Sequence, residues 1–399
     1  MNLRALLATH GRVIGFGFLL ALLSSFGQTT FISLSVPGIR ASFDLSNGGF
    51  GALYSAATLA SGLLMIWAGG IIDRVSVRTY AAFALGGLCL AAFGLSLAPN
   101  VVVLGLALFA LRLCGQGMLA HAAVTSTARL PQGARGRAVG IATLGFPVGE
   151  AFLPGLGLAL LAAFGWVSMW QLVAAFLALA VALGVLSVSR AKALDSPAVP
   201  TASAASRATP APSRRDILKD WRFLVFVPAI VAPPATLTAY IFHQRHIAEV
   251  KDWPLELLAG GITVYAVSSL TASLTTGGLV DRFGAIRLSR FHLAGLVAGS
   301  LVLSAGEGLW AAPLFFACLG LTAGANNVVV PAVLAELFGT EHLGMIRALA
   351  GSLSVIASAS TPGAVGVLFD AGFTPETLAL GFAAYAAAAS LIAVAIPRR

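Results

Sequence analysis

The chain has 399 residues, 58% of them hydrophobic and 10% charged, with a mean hydropathy of +0.92 and a net charge of +9. A water-soluble globular domain, with about 25% charged residues, is excluded. So is a disulfide or zinc scaffold, because Cys89, Cys114 and Cys318 stand alone inside apolar runs.

A helix needs roughly 20 mainly apolar residues to cross a hydrocarbon core about 30 Å thick. The sequence supplies such runs near 13–38, 47–70, 79–98, 101–128, 137–164, 167–189, 221–244, 256–280, 286–306, 310–335, 345–369 and 376–396. The runs are continuously apolar rather than alternating, which favours helices over a membrane barrel. The expected fold is therefore an all-α membrane protein of twelve transmembrane helices. Arg4 and Arg12 precede an apolar stretch too long for a signal peptide, so the first run reads as a retained span.

Taken in order, span 1 is interrupted by "SSFGQTTF", which places Gln28, Thr29 and Thr30 inside it. The loop after span 2 reads "GGIIDRVSVR", with Asp73, Arg74 and Arg78. Span 4 carries Arg112 and, four residues on and so on the same helical face, Gln116. His121 lies on the opposite face. Span 5 contains "GFPVGE", ending at Glu150. Arg112 and Glu150 both fall roughly 16 to 21 Å below the outer ends of their spans, deep enough to pair with one another or to serve a solute.

After span 6 comes "RAKALDSPAVPTASAASRATPAPSRRD", rich in Ala, Pro and Ser, which reads as a flexible linker. It divides the chain into a first bundle (1–190), a linker (191–220) and a second bundle (221–399). Span 7 carries Pro228, Pro233, Pro234 and Tyr240, followed by His243 and His246 as solvated outer-loop residues without metal-ligand company. The loop after span 8, "GGLVDRFGAIR", repeats the earlier signal: Asp281 follows Asp73 by 208 residues, with Arg282 and Arg287 beside it. Span 10 is interrupted by Asn326 and Asn327 in "AGANNVVVP" and ends at Glu336. Spans 8 to 12 offer no cation at mid-depth.

Basic residues explain the net charge. With both termini cytoplasmic, 20 of 24 lie at the termini or in cytoplasmic loops, three lie outside and Arg112 is in a span. This is the positive-inside distribution, so the charge orients the chain and does not imply nucleic acid.

The span count, the central linker and the duplicated Gly-Gly-x-x-Asp-Arg loops resemble the major facilitator superfamily over the whole chain. The first loop departs from the family pattern by having Ser76 where Gly is usual; the second keeps Gly284. The resemblance implies two pseudo-symmetric six-helix bundles, a cavity lined by helices 1, 4, 7 and 10, and a gate built on the Asp-Arg loops. It thereby assigns gating to Asp73, Arg74, Arg78, Asp281, Arg282, Arg287 and Glu336. Glu336 is expected to join Asp281 and Arg287 in an ion network, with no match in the first half, where Ala128 and Arg129 stand instead. Gln28, Arg112, Gln116, Tyr240, Asn326 and Asn327 are the expected substrate-binding residues, and Glu150 the proton-coupling one.

The reading is a secondary transporter of a small organic solute, with Arg112 favouring an organic anion and protons as coupling ion, in a bacterial inner membrane. It needs no cofactor or metal and is expected to act as a monomer. The alternative is a proton-coupled efflux antiporter for amphipathic compounds; a solute sensor is a further one. An enzyme would need a catalytic cluster, and an ATP-driven pump a phosphate loop, and neither is in the sequence.

Overall fold

The computed structural model describes residues 3–180, 214–339 and 343–395. Among these residues the ordered elements are helices. Two compact units divide the chain: unit 1 holds Met1–Ser46 and Leu53–Thr201, and unit 2 holds Asn47–Ala52 and Ala202–Arg399.

Unit 1 begins with α1 (Leu3–Ser24), which ends in a 3₁₀ turn, Ser25–Gly27. The chain then continues through α2 (Thr29–Ile32), a second 3₁₀ turn (Ser33–Ser35) and α3 (Val36–Phe43). Next come α4 (Asn47–Ile71), which belongs to this unit from Leu53 onward, α5 (Val77–Ser96) and α6 (Val101–Leu111). A π-helical stretch, Arg112–Leu119, joins α6 to α7 (Ala120–Ala128). The unit closes with α8 (Gln132–Thr143) and α9 (Gly145–Leu179).

Unit 2 contains α10 (Arg214–Lys219), α11 (Trp221–Phe242), α12 (Gln244–Val250), α13 (Leu255–Phe283) and α14 (Ala285–Leu288). It ends with α15 (Ala294–Ala305), α16 (Ala311–Phe338), α17 (Leu343–Asp370) and α18 (Pro375–Ala393).

Several helix starts are written in the sequence as capping residues. Ser76 Oγ accepts the Thr79 amide at 3.0 Å and Asn100 Oδ1 accepts the Val103 amide at 3.0 Å. Asp220 Oδ1 accepts the Arg222 amide at 2.8 Å and Thr374 Oγ1 that of Thr377 at 3.3 Å. Each satisfies a donor that the helix itself leaves open.

Ten helical stretches are long and apolar enough to cross a membrane, and Ala294–Ala305 is a shorter apolar helix. One of the ten, Ala134–Leu179, covers the expected spans 5 and 6, broken by Gly165 at φ 76°. The described helices are consistent with the expected twelve segments, residues 181–189 of span 6 lying outside the described residues. Span 9 is shorter than expected because Ser289–Leu293 lie in turns. Residues 191–213 of the expected linker lie outside the described residues, and the part that follows is helical as α10 rather than flexible. Phe83, Leu90, Val102, Phe152, Leu274 and Leu391 are each more than 70% exposed, which suits contact with lipid and not with water.

Candidate functional site

In unit 1 the polar groups converge where two helices are irregular. Serines around the break in span 1 bond to their own backbone: Ser24 Oγ to the Ala21 carbonyl at 2.7 Å, Ser33 Oγ to Thr30 at 3.2 Å and Ser35 Oγ to Ile32 at 3.0 Å. Such bonds compete with the helical ladder. Gln28 is extended (φ −82°, ψ 153°), and the Phe31 and Ile32 amides both donate to its carbonyl at 3.2 and 3.1 Å. The Gly27 carbonyl is thereby released from the helix.

Arg112 opens the π-helical stretch and donates from Nη1 to that carbonyl at 3.0 Å. Only glycine fits at this crossing, because a Cβ on Gly27 would strike the Leu111 carbonyl and Gly115, and one on Gly115 would lie 2.6 Å from the Gly27 Cα. The guanidinium sits 5.4 Å from the Tyr54 ring centroid, and the Tyr54 hydroxyl shares a 2.8 Å hydrogen bond with Thr29 Oγ1. Arg112 is 4% exposed, its Nε has no partner, and no carboxylate pairs with it among the described residues. A buried full charge left in this state is costly unless a ligand answers it. Pairing with Glu150, one of the two alternatives that the sequence left open, is not seen: the half-buried Glu150 is in no ion pair among the described residues, and the Arg112 guanidinium donates to the released carbonyl. Gln28 is half-buried and Gln116, on the π-helical stretch, is exposed.

In unit 2, α11, α16 and α17 line an open pocket of about 240 Å³, whose lining includes Ile230, Asn326, Asn327, Pro331, Arg347 and Ser354. Asn326 Oδ1 is buried with no hydrogen-bond partner among the described residues. Pro331 lacks the amide that would bond the Asn327 carbonyl four residues back. Tyr240 is not in this lining. Its hydroxyl donates to Ser300 Oγ at 2.8 Å and its ring packs edge-on against Phe315 and Phe382, so it belongs to the packing between helices. His243 is likewise buried and not solvated, with Nε2 3.1 Å from the Pro362 carbonyl.

The Asp-Arg loops are built differently in the two units. Glu336 accepts from the Ala285 amide at 2.6 Å and the Ile286 amide at 3.1 Å. It forms no ion pair with Arg287 among the described residues, and Asp281 and Arg287 are both exposed, so the expected network is replaced by a carboxylate on backbone amides. Arg282 lies over the Phe283 ring at 5.2 Å. In unit 1 a matching link exists after all with the charge reversed: Arg129 donates to the Ile72 carbonyl at 2.7 Å and approaches Asp73 at 3.8 Å. Arg74 is exposed and Arg78 half-buried.

Two residues escaped the sequence reading. Tyr54 resembles any aromatic in an apolar span and is revealed only by its position under Arg112. Arg347, counted as one more orientation charge at a span end, lines the cavity of Asn326 and Asn327.

The family model of the Major Facilitator Superfamily matches residues 17–362. No curated protein matches the sequence. Among solved structures, the nucleoside transporter NupG in a point-mutant form is similar, with a TM-score of 0.73 at 14% identity, over 97% of this chain and 99% of that one. NupG itself gives a TM-score of 0.69 at 14% identity, over 99% of each chain. A bacterial homolog to the human lysosomal transporter Spinster, inward-facing and unoccupied, gives 0.65 at 16% identity, over 97% and 94%.

Proposed function

The chain belongs to the major facilitator superfamily, a membrane transporter rather than an enzyme, and on that premise we propose that it carries a small organic anion by alternating access, coupled to protons. The observation that carries this reading is Arg112: a guanidinium 4% exposed, at a broken helix, with no carboxylate partner among the described residues. In the membrane interior such a cation is expensive and marks a substrate path. Its planar fork suits a carboxylate or phosphate, which it can hold through two parallel hydrogen bonds. Tyr54, Thr29, Gln28 and Gln116 supply further hydrogen-bonding groups around it, and Glu150 supplies a group that can take up and release a proton. The Asp-Arg loops act as the gate. The setting is a bacterial inner membrane with both termini cytoplasmic, and the working unit is a monomer.

The reading is tested by flux into proteoliposomes with radiolabelled organic anions. Arg112→Gln is expected to abolish uptake, a loss of at least a hundredfold, while the purified variant stays monodisperse and its unliganded melting temperature stays within a few degrees. Wild-type transport of amphipathic cations with no anion flux would instead select an efflux antiporter.

A further inference from the structure

Arg347 stands apart from the orientation charges because of where α17 places it. Arg347, Ala350, Gly351 and Ser354 follow the i, i+3, i+4, i+7 spacing of one helical face, and all four line the cavity in unit 2. Across from them Asn326, Asn327, Val330, Pro331 and Leu334 form one face of α16. The two helices are separated by only 339–342 and run antiparallel, so Leu334 lies toward the Arg347 end and the asparagines toward the Ser354 end. Seven residues of helix span about 10 Å. One end of the cavity therefore carries a cation. The other carries two side-chain amides, and the Asn326 Oδ1 has no partner among the described residues.

Arg347 is exposed and makes no ion pair among the described residues. A charge needed only for membrane orientation has no reason to face a pocket that holds a buried, unpartnered acceptor. We infer that this cavity is a second anion-recognition site: Arg347 holds the carboxylate or phosphate of an organic anion whose hydrogen-bond donor reaches Asn326 and Asn327. The inference rests on the anionic-solute reading and adds a second cation to it. It also adds a requirement that the anion carry a donor several ångströms from its charge, because the Asn326 Oδ1 at the far end would otherwise stay unpaired.

The test uses full-length protein in lipid-free detergent and reads ligand-induced thermal stabilisation. Three anions are paired with uncharged counterparts: 4-hydroxybenzoate with 4-hydroxybenzamide, gluconate with glucitol, and uridine monophosphate with uridine. At least one anion is expected to bind the wild type more tightly than its counterpart. Arg347→Gln should weaken that anion about tenfold to a hundredfold and leave the counterpart's affinity unchanged, and Arg347→Lys should recover part of the loss. Anion preference kept by Arg347→Gln but lost by Arg112→Gln overturns this inference and spares the proposed function. Preference lost by Arg347→Gln but kept by Arg112→Gln supports this site and removes the role assigned to Arg112. Equal binding of anion and counterpart to the wild type, or binding of none of the six, overturns both. Displacement of the bound anion by phosphatidylglycerol micelles would assign the cavity to a lipid headgroup and also overturn it.

Discussion

Ser76 and Gly284 occupy the same place in the two copies of the Asp-Arg loop, 208 residues apart, yet they solve the turn by different means. Ser76 is extended (φ −65°, ψ 146°) and its hydroxyl caps α5, whereas Gly284 adopts φ 81° and ψ 147°, a region open in practice to glycine alone. The departure from the family pattern at Ser76 is thus a helix cap and not a looser turn. The two positions should respond to substitution by different amounts and for different reasons. Ser76→Gly is expected to cost a few tenths of a kcal/mol and Ser76→Ala about 1 kcal/mol. Gly284→Ala should cost about 1–3 kcal/mol through backbone strain. Thermal unfolding of the purified variants measures these costs, and a Gly284→Ala protein as stable as the wild type would remove the strain argument. Sequence spacing made the equivalence of the two loops legible. It could not show that Arg129 would stand in for a carboxylate, because that link depends on reversed charge at a position one residue out of register with Glu336.

At the scale of elements, the spans were legible because a run of about 20 apolar residues has few other uses, and the break in span 1 was announced by its polar cluster. The π-helical stretch was not legible, since an i to i+5 ladder uses the same residues as an ordinary helix. It matters because it sets Arg112 and Gly115 against the broken α1. Tyr240 was misjudged for a related reason: depth along a span is readable, but which face meets a neighbour is not, and Ser300 claims its hydroxyl. The start of α11 offers an element-level test. Asp220 caps the helix and also receives Arg222 Nη2 at 2.7 Å, and those side-chain hydrogen bonds, led by Arg222, hold its carboxyl below the usual carboxylate range. A carboxyl so lowered stabilises the fold above the unfolded value of about 3.9, and that contribution disappears as pH falls through the folded value. Asp220→Asn keeps the cap, because Asn caps as well as Asp, and removes the charge. Its melting temperature should fall by a few degrees at most at pH 7, and the gap to the wild type should narrow as pH falls below about 4. No gap at pH 7, or a gap that does not narrow on acidification, would show that the charge pair contributes nothing.

For the whole molecule, the composition that excluded a soluble domain and the duplicated loops together pointed to the fold that the family match and the solved transporters share. Coupling is a property at this scale, since a transporter driven by a gradient must link the protonation of one group to the movement of the entire solute path. Glu150 is the group in unit 1 whose circumstances fit. It is half-buried on α9, it is in no ion pair among the described residues, and the Arg112 guanidinium donates to the Gly27 carbonyl. Its charge is therefore free to come and go without breaking a structural bridge. Replacing it by Gln fixes a neutral, hydrogen-bonding mimic of the protonated carboxyl. In proteoliposomes, Glu150→Gln should lose accumulation of the solute against its gradient when a proton gradient is imposed. It should still exchange labelled for unlabelled solute at equal concentrations within a few-fold of the wild-type rate, because binding at Arg112 and the conformational cycle remain. Loss of both activities would make Glu150 a structural or binding residue. Retention of full gradient-driven accumulation would place proton coupling elsewhere in the chain.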